Sequence, residues 1–140
     1  MPMEFNELTS AAMDAASVAL GTGPVTMINL VRFRPEVDYP AGFDGAKGDP
    51  RSGYYEGYAE AFRMVAREVG VHSIEVLFRG RLVAGLVTAP KERWDEVVVV
   101  RYGSFEDFRN IVESARYKSL ADPHRRAAVA DWRLFASVTD

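Results

Sequence analysis

Nine consecutive residues near the N-terminus, Val25 to Phe33, constrain the fold more than any other part of this sequence. The segment reads VTMINLVRF and carries large apolar side chains at both odd and even positions. Alternate residues of a strand point to opposite faces of a sheet, so the segment predicts a strand that is covered on both faces. Pro24 precedes it and Pro35 follows it, which indicates where the strand begins and ends.

Strand-like and helix-like segments alternate along the rest of the chain. An alanine-rich helix begins after Thr9, a candidate N-cap, and ends at Gly21. The elements expected after it are the strand Val25–Phe33, a glycine- and proline-rich loop over 35–53, a helix over 54–69, a strand over 73–87, a strand over 95–102, a helix from Ser104, a short helix over 124–130 and a strand over 132–138. Without the first helix the order is βαββαβ. This order predicts an α+β fold of the ferredoxin-like type, with both helices on one face of a four-stranded antiparallel sheet.

Apolar residues on the other face of that sheet predict a partner subunit. Val25, Met27, Val31 and Phe33 lie on one side of the first strand, whereas apolar residues such as Ile28 lie on the opposite side. Two helices cover only one face, and leaving the other in water costs about 25 cal/mol per Å² of apolar surface. We therefore expect a homodimer in which the open sheet faces of two copies pack together.

Length and charge narrow the class of protein. The 140 residues suit a single domain, with a helical extension over 1–23 and a ferredoxin-like core over 24–140. The formal net charge of -3 provides no cationic surface for a phosphate backbone, so we expect no nucleic-acid partner. The absence of cysteine excludes disulfides and thiol nucleophiles and is typical of a reducing compartment.

The N-terminus does not have the pattern of an export signal. Glu4 and Glu7 stand where a signal peptide has Lys or Arg, and Asp14 interrupts the small apolar stretch that follows. No segment has the roughly 20 consecutive apolar residues of a membrane helix. We therefore expect a cytoplasmic protein without a membrane partner.

Three segments resemble the dimeric α+β barrel (ferredoxin-like) superfamily. They are Met27–Pro35, Tyr102–Phe105, and Ala115–Leu120 continuing through His124–Ala128. Within the superfamily the chain is most similar to the uncharacterised domain-of-unknown-function 1330 group. The resemblance covers about Pro24 to Val138, and the N-terminal helix and the glycine-rich loop are elaborations on it. It implies a dimer but not an activity, since the superfamily includes cofactor-independent monooxygenases, isomerases, aldoxime dehydratases and haem enzymes.

One rim of the predicted sheet is a candidate substrate-binding site. The topology brings Arg32, Arg34, Tyr54 and Trp94 to this rim, beside the glycine-rich loop. Guanidinium groups next to aromatic rings suit a planar, anionic organic ligand. The alternative is that these arginines are solvated surface residues.

Two polar residues on strands add to this candidate site. Asn29 shares its strand face with apolar residues, so its amide needs a partner, which is either a substrate oxygen or a neighbouring group of the protein. Arg101 lies among valines, so its guanidinium also needs a partner, which is either a substrate or a protein group. Glu75 on the neighbouring strand is the candidate structural counter-ion.

Proton transfer near neutral pH is assigned first to Tyr54 and His72. Histidine has the unperturbed pKa that suits this task, and Tyr54 lies where the loop meets the helix. His124, after Pro123, is the other histidine, and both histidines also have structural interpretations. His72 with Glu75 lacks a third metal ligand, and no nucleotide-binding motif is present, so we expect neither a metal nor a cofactor.

The sequence supports two hypotheses for function. The first is a cofactor-independent enzyme, of monooxygenase or isomerase type, that acts on a small carboxylated or aromatic metabolite. In the second, the protein is a non-catalytic ligand-binding or interaction module, because few acid–base groups converge. The glycine-rich loop is expected to act as a lid over the pocket.

Overall fold

The computed structural model describes residues 6–139 and divides the chain into two compact units. The sheet unit comprises Met1–Arg32, Ser73–Phe105 and Asp131–Asp140, and the helical unit comprises Phe33–His72 and Glu106–Ala130. Residues 1–5, which include Glu4 of the signal-peptide argument, and Asp140 lie outside the described part. The assignment of one domain over 1–140 stays a prediction.

The order of elements is that of a ferredoxin-like α+β fold. The strands are β1 (Val25–Phe33), β2 (Glu75–Arg81), β3 (Glu96–Tyr102) and β4 (Val129–Ser137). The helices are α1 (Ser10–Leu20), α2 (Pro50–Ser52), the π-helical π1 (Gly53–Tyr58), α3 (Ala59–Glu68), α4 (Phe105–Val112), the π-helical π2 (Tyr117–Ala121) and α5 (Asp122–Ala128). The four strands form one sheet in the order β2-β3-β1-β4. The predicted fold class is confirmed, including the extra N-terminal helix.

The β1 strand occupies the predicted residues, and its side chains on the two faces of the sheet differ in burial. Val25, Met27 and Val31 on one face are buried, whereas Ile28 and Leu30 on the other face are half-buried. The register with β3 pairs Val25 with Tyr102 and Val31 with Glu96, so the strands are antiparallel over most of their length. The face that carries Ile28 therefore remains the more accessible one.

The β2 strand is shorter than the sequence predicted, because its ladder to β3 ends where Arg81 pairs with Glu96. The apolar residues that follow lack a paired strand in this register and leave the sheet as an irregular segment. A register shift between Val76 and Phe78 marks a β-bulge within β2.

The first long helix begins four residues before the predicted start at Tyr54. Asp49 is its N-cap and accepts hydrogen bonds from the backbone N–H and the hydroxyl of Ser52, both at 3.0 Å. Pro50 at the first helical position fits this start, because its missing N–H is not needed there. Asp-Pro is thus the sequence signal that the prediction missed.

The glycine-rich loop is ordered by backbone hydrogen bonds to the end of α5. The N–H of Arg34 donates to Ala128 O at 2.8 Å, and that of Asp38 donates to Ala127 O at 3.0 Å. The β4 strand begins directly after α5, three residues before the predicted start at Trp132. The loop is therefore attached along its first residues to α5.

Candidate functional site

A tyrosine–histidine pair links two segments of the helical unit. The hydroxyl of Tyr39, in the glycine-rich loop, is 2.7 Å from Nδ1 of His124 in α5. Only 7% of His124 is exposed, and Tyr39 is half-buried. The pair joins the loop to α5, and it orients an imidazole ring that is held almost entirely inside the protein.

Two glycines of π1 make room for this pair. A Cβ atom at Gly57 would lie 2.7 Å from Cγ of His124, and one at Gly53 would lie 3.1 Å from the Tyr39 hydroxyl oxygen. Each glycine inside a helix costs about 1 kcal/mol relative to alanine, so their presence here requires a packing reason. That reason is the close approach of the His124 ring and the Tyr39 hydroxyl to the π1 backbone.

Burial keeps the imidazole neutral. It lowers the pKa of His124 below its usual value of 6.5, and the charge of Lys47 adds to this effect. Burial also raises the pKa of Tyr39, although the backbone N–H of Lys47 donates to its hydroxyl and acts in the opposite direction. The pair therefore consists, at neutral pH, of a protonated phenol and a neutral imidazole.

Nδ1 is the ring nitrogen of His124 for which residues 6–139 provide a hydrogen-bond partner. Within residues 6–139, no fully buried polar side-chain atom lacks a hydrogen-bond partner. Nδ1 bonds to Tyr39, and no other hydrogen bond to the His124 ring is found in that part of the chain.

Aromatic and cationic groups surround the pair. The ring of Phe43 stacks on Tyr39 at 5.3 Å and meets the His124 ring edge-on at 5.1 Å. Lys47 lies close enough for its charge to act on His124. These groups suit a small molecule that combines an apolar ring with a negative charge.

A second cluster beside π1 is structural in character. The hydroxyls of Tyr58 and Tyr117 are 2.9 Å apart, and burial raises the pKa of Tyr117 to about 12 and that of Tyr58 well above its usual value. Arg125, which is also buried, pairs with Asp122 at 2.8 Å. Phenols held so firmly in the protonated state are poor proton-transfer groups near neutral pH.

The two predicted proton-transfer residues lie in different environments of the helical unit. Tyr54 is buried, with its ring stacked on Tyr58 at 5.6 Å and edge-on to Phe33 at 5.9 Å. His72 is exposed at the end of the unit's first segment. The catalytic role of Tyr54 and His72 stays a prediction.

The predicted binding residue Asn29 has partners within the sheet unit. Its side-chain N–H donates to Val98 O at 3.1 Å, and its Oδ1 accepts from Nε1 of Trp132 at 3.1 Å. Both ends of the amide are therefore engaged by the protein, which is the structural alternative stated from the sequence. Arg101 is exposed and lies across from Glu75 in the register of β2 and β3.

The predicted rim residues also have protein partners. Arg32 pairs with Asp131 at 3.1 Å, and the guanidinium of Arg133 lies 5.3 Å from the ring centre of Trp94. Although burial opposes the charge of Asp131, hydrogen bonds from Arg133 and Arg32 lower its pKa. Arg34, in the helical unit, donates to Arg126 O at 2.9 Å.

Sequence reasoning missed Tyr39 altogether and ranked His124 no higher than His72. The signal that points to them is the Gly53–Gly57 spacing, since two glycines four residues apart in a helical pattern indicate a close neighbour on one side. For metals, no group of three or more His, Asp or Glu side chains with suitable placement occurs in residues 6–139. Nor does that part of the chain contain a helix long and apolar enough to cross a membrane.

The strand and helix order defines a ferredoxin-like protein, and comparisons with solved structures agree. The chain is similar to RPA0582, a protein of unknown function from Rhodopseudomonas palustris, at 27% identity over 96% of both chains with a TM-score of 0.76. The methylated form of RPA0582 gives 28% identity, coverage of 96% and 94%, and a TM-score of 0.77. Because so little of the chain lies outside this match, most of the N-terminal helix and of the glycine-rich loop is included in it.

A more distant structure shares the fold. A hypothetical protein from Arabidopsis thaliana is 12% identical over 89% of this chain and 96% of its own, with a TM-score of 0.50. A dimeric protein with a ferredoxin-like fold from Bacteroides fragilis is 16% identical over 84% and 97%, with a TM-score of 0.49. No family model and no curated protein matches the sequence. The likeness to the domain-of-unknown-function 1330 group stays a prediction.

Proposed function

We propose that this protein binds a small carboxylated or aromatic metabolite and acts on it without a cofactor, by proton transfer at His124. The observation that carries the proposal is the 2.7 Å contact between the Tyr39 hydroxyl and Nδ1 of a buried His124. A neutral imidazole that a phenol orients through one ring nitrogen is suited to acid–base chemistry at the other ring nitrogen near neutral pH. Isomerase and monooxygenase reactions both include such a step.

Each residue around the pair has a proposed role. His124 takes or gives the proton at Nε2, and Tyr39 positions the ring through Nδ1. The tyrosine hydroxyl can donate to Nδ1 or accept from it, so either tautomer of the imidazole is compatible with the geometry. Lys47 attracts a carboxylate, and Phe43 contacts an aromatic ring.

Residues proposed from the sequence remain part of this hypothesis. Tyr54 and His72 are the alternative proton-transfer residues, whereas Asn29, Arg32, Arg34, Trp94 and Arg101 are the proposed substrate-binding residues. The hydrogen bonds of Asn29, Arg32 and Arg34 to protein groups limit what these side chains can offer a ligand. They favour His124 as the first residue to test.

Binding is tested with benzoate, a planar aromatic carboxylate, by calorimetry for the affinity and by histidine side-chain NMR signals for the site. We expect benzoate to shift the His124 signals to saturation, and His124→Gln to weaken binding at least about tenfold. His72→Gln distinguishes the two histidines: an unchanged affinity supports His124, whereas a loss of binding assigns the site to the alternative residue His72. Saturable binding that His124→Gln leaves intact, or no binding at millimolar benzoate, contradicts the proposed site.

Catalysis is tested with phenylpyruvate in D₂O, by measuring deuterium incorporation at C3. The base takes a proton from C3, the electron pair moves into the carbonyl as an enolate, and a solvent deuteron then adds to C3. We expect the wild-type protein to accelerate exchange over buffer, and His124→Gln to lose at least about 100-fold of that acceleration. No acceleration excludes this proton-transfer activity.

The second candidate function is a non-catalytic ligand-binding or interaction module. It is favoured by the internal hydrogen bonds of Asn29 and the ion pair of Arg32, which leave few convergent polar groups in the sheet unit. Benzoate binding at His124 without exchange of phenylpyruvate supports this alternative over the enzyme.

We also propose that the protein is a cytoplasmic homodimer that packs through the sheet face carrying Ile28 and Leu30. The half-buried state of both side chains supports this, since a second copy would remove the remaining apolar surface from water. The net charge of -3 argues against a nucleic-acid partner. The absence of cysteine supports a reducing compartment. Sedimentation equilibrium tests the dimer: a single species at the protomer mass up to 100 µM, about the highest working concentration, contradicts it.

A further inference from the structure

The segment between β2 and β3 contains an uncharged apolar stretch. Residues 82–90, here called the arm, read LVAGLVTAP and include no charged side chain. Val83, Leu86 and Val87 are 86%, 92% and 97% exposed. Soluble proteins tolerate single exposed apolar residues, but a run of this kind indicates a surface that is covered in the working state.

The arm is fastened at both ends and so is presented in a defined place. At its start, the N–H of Leu82 donates to Asp95 O at 2.9 Å. At its end, the N–H of Ala89 donates to a carboxylate oxygen of Glu92 at 3.0 Å. The apolar side chains between these bonds therefore project from a held segment of the sheet unit.

The apolar surface continues from the arm along β2. Val76, Leu77 and Phe78 are 45%, 48% and 57% exposed. The register pairs Val76 with Val100 and Phe78 with Val99, so these two side chains lie on opposite faces of the sheet. Val99 also pairs with Ile28, and Phe78 is therefore on the same face as Ile28. Phe78 thus adds an exposed aromatic ring to the face through which the dimer is proposed to form.

A second copy of this chain is the occupant that the sheet order favours. β2 and β4 lie at opposite edges of the sheet, and β4 also exposes a large aromatic side chain, Phe135. A two-fold axis places the β2 edge of each copy beside the β4 edge of its partner, so that both apolar edges are covered at once. The arm extends the edge formed by β2 and would contribute to the same interface.

We propose that the arm docks onto a second copy of this chain and stabilises the dimer, which rests on the homodimer proposed above. Val83, Leu86 and Val87 become buried only when two copies associate. The sheet faces supply the rest of the interface, and the arm adds contacts from beyond the edge of the sheet.

The test uses the absence of cysteine from the sequence. Val87→Cys introduces a single thiol on the arm, and Val18→Cys introduces one on α1, where Val18 is 87% exposed. The rate of reaction with a maleimide is measured at protein concentrations above and below the dimer dissociation constant, which is taken from sedimentation equilibrium. We expect the Val87→Cys thiol to react at least about tenfold more slowly in the dimer, and the Val18→Cys thiol to react at one rate throughout.

A second variant tests the contribution of the arm to affinity. Leu86→Ser with Val87→Ser should raise the dimer dissociation constant at least about tenfold, whereas Val18→Ser leaves it unchanged. An unchanged dissociation constant, or equal thiol reactivity in dimer and protomer, overturns the proposed role of the arm in the interface, while the proposed dimer stands. A wild-type protein that stays monomeric overturns both, and protection of the Val87→Cys thiol only by phosphatidylcholine vesicles assigns the arm to a membrane surface instead.

Discussion

The imidazole ring of His124 packs against Gly57 so closely that no side chain fits at that position of π1. A Cβ atom at Gly57 would lie 2.7 Å from Cγ and 2.8 Å from Cε1 of His124. These atoms belong to the body of the ring, so the clash is relieved only by moving His124 or π1. The position of the candidate acid–base group is therefore set by the absence of a side chain on the neighbouring helix.

Replacing this glycine should displace the histidine. We expect Gly57→Ala to lower the free energy of unfolding by about 1–3 kcal/mol, because overpacking exceeds the gain from alanine's helix propensity. Urea denaturation measures the change. Gly48→Ala is the control, since a Cβ there meets nothing within 4 Å, and a similar loss in both variants argues against the packing role of Gly57.

Removing the Tyr39 hydroxyl should loosen the glycine-rich loop. Tyr39→Phe takes away both the partner of His124 Nδ1 and the acceptor of the Lys47 N–H. We expect a loss of about 0.5–1.5 kcal/mol in the free energy of unfolding, together with faster hydrogen exchange at the Lys47 amide. Amides of α3 serve as the internal reference, and unchanged protection of Lys47 would show that the hydroxyl does not hold the loop.

The lowered pKa of His124 makes stability depend on pH in a defined direction. The native state binds a proton less readily than the unfolded chain, whose histidine titrates near 6.5. The unfolded chain therefore takes up more protons as the pH falls below about 6.5, and the free energy of unfolding decreases with it. Thermal unfolding between pH 5 and 8, about the titration range of histidine, should show a smaller decrease for His124→Gln than for the wild type. Equal slopes contradict the lowered pKa.

The Asn29 amide should be important for stability. Asn29→Ala leaves the indole N–H of the buried Trp132 without the acceptor at 3.1 Å, and we expect a cost of about 1–3 kcal/mol. Asn110→Ala, at an exposed position of α4, should change stability by no more than about 0.5 kcal/mol. If Asn29→Ala retains stability but loses benzoate binding, the amide serves the ligand and its structural role is wrong.

The sequence was sufficient to predict the fold because its strongest signals are local. The apolar run Val25–Phe33, the Thr9 cap and the helical spacing after Ser104 each depend on residues close together in the chain. The end of β2 was not predictable in the same way, because the ladder ends where β3 begins to pair, at Glu96. The apolar sequence of the arm is typical of a strand, and only the pairing of β2 with β3 shows that the strand ends before it.

The candidate site was harder to predict, because it depends on contacts between distant segments. Tyr39 lies in a loop whose composition indicates only turns, and 85 residues separate it from His124. The pattern of the sequence could not distinguish the buried His124 from the exposed His72, since burial decides which histidine has a perturbed pKa. Asn29 was correctly identified as an amide in need of partners, but the sequence could not show that Trp132 and Val98 supply them.

The most direct test is an NMR titration of the two histidine side chains with benzoate at pH 7, about the pH at which a neutral imidazole is expected. The account predicts that the Nε2 signal of His124 starts as that of a neutral imidazole and shifts saturably as benzoate is added, and that Tyr39→Phe weakens this response. A His124 that is protonated at pH 7, or whose signals stay fixed while benzoate binds elsewhere, would contradict the assignment of this ring as the acid–base group.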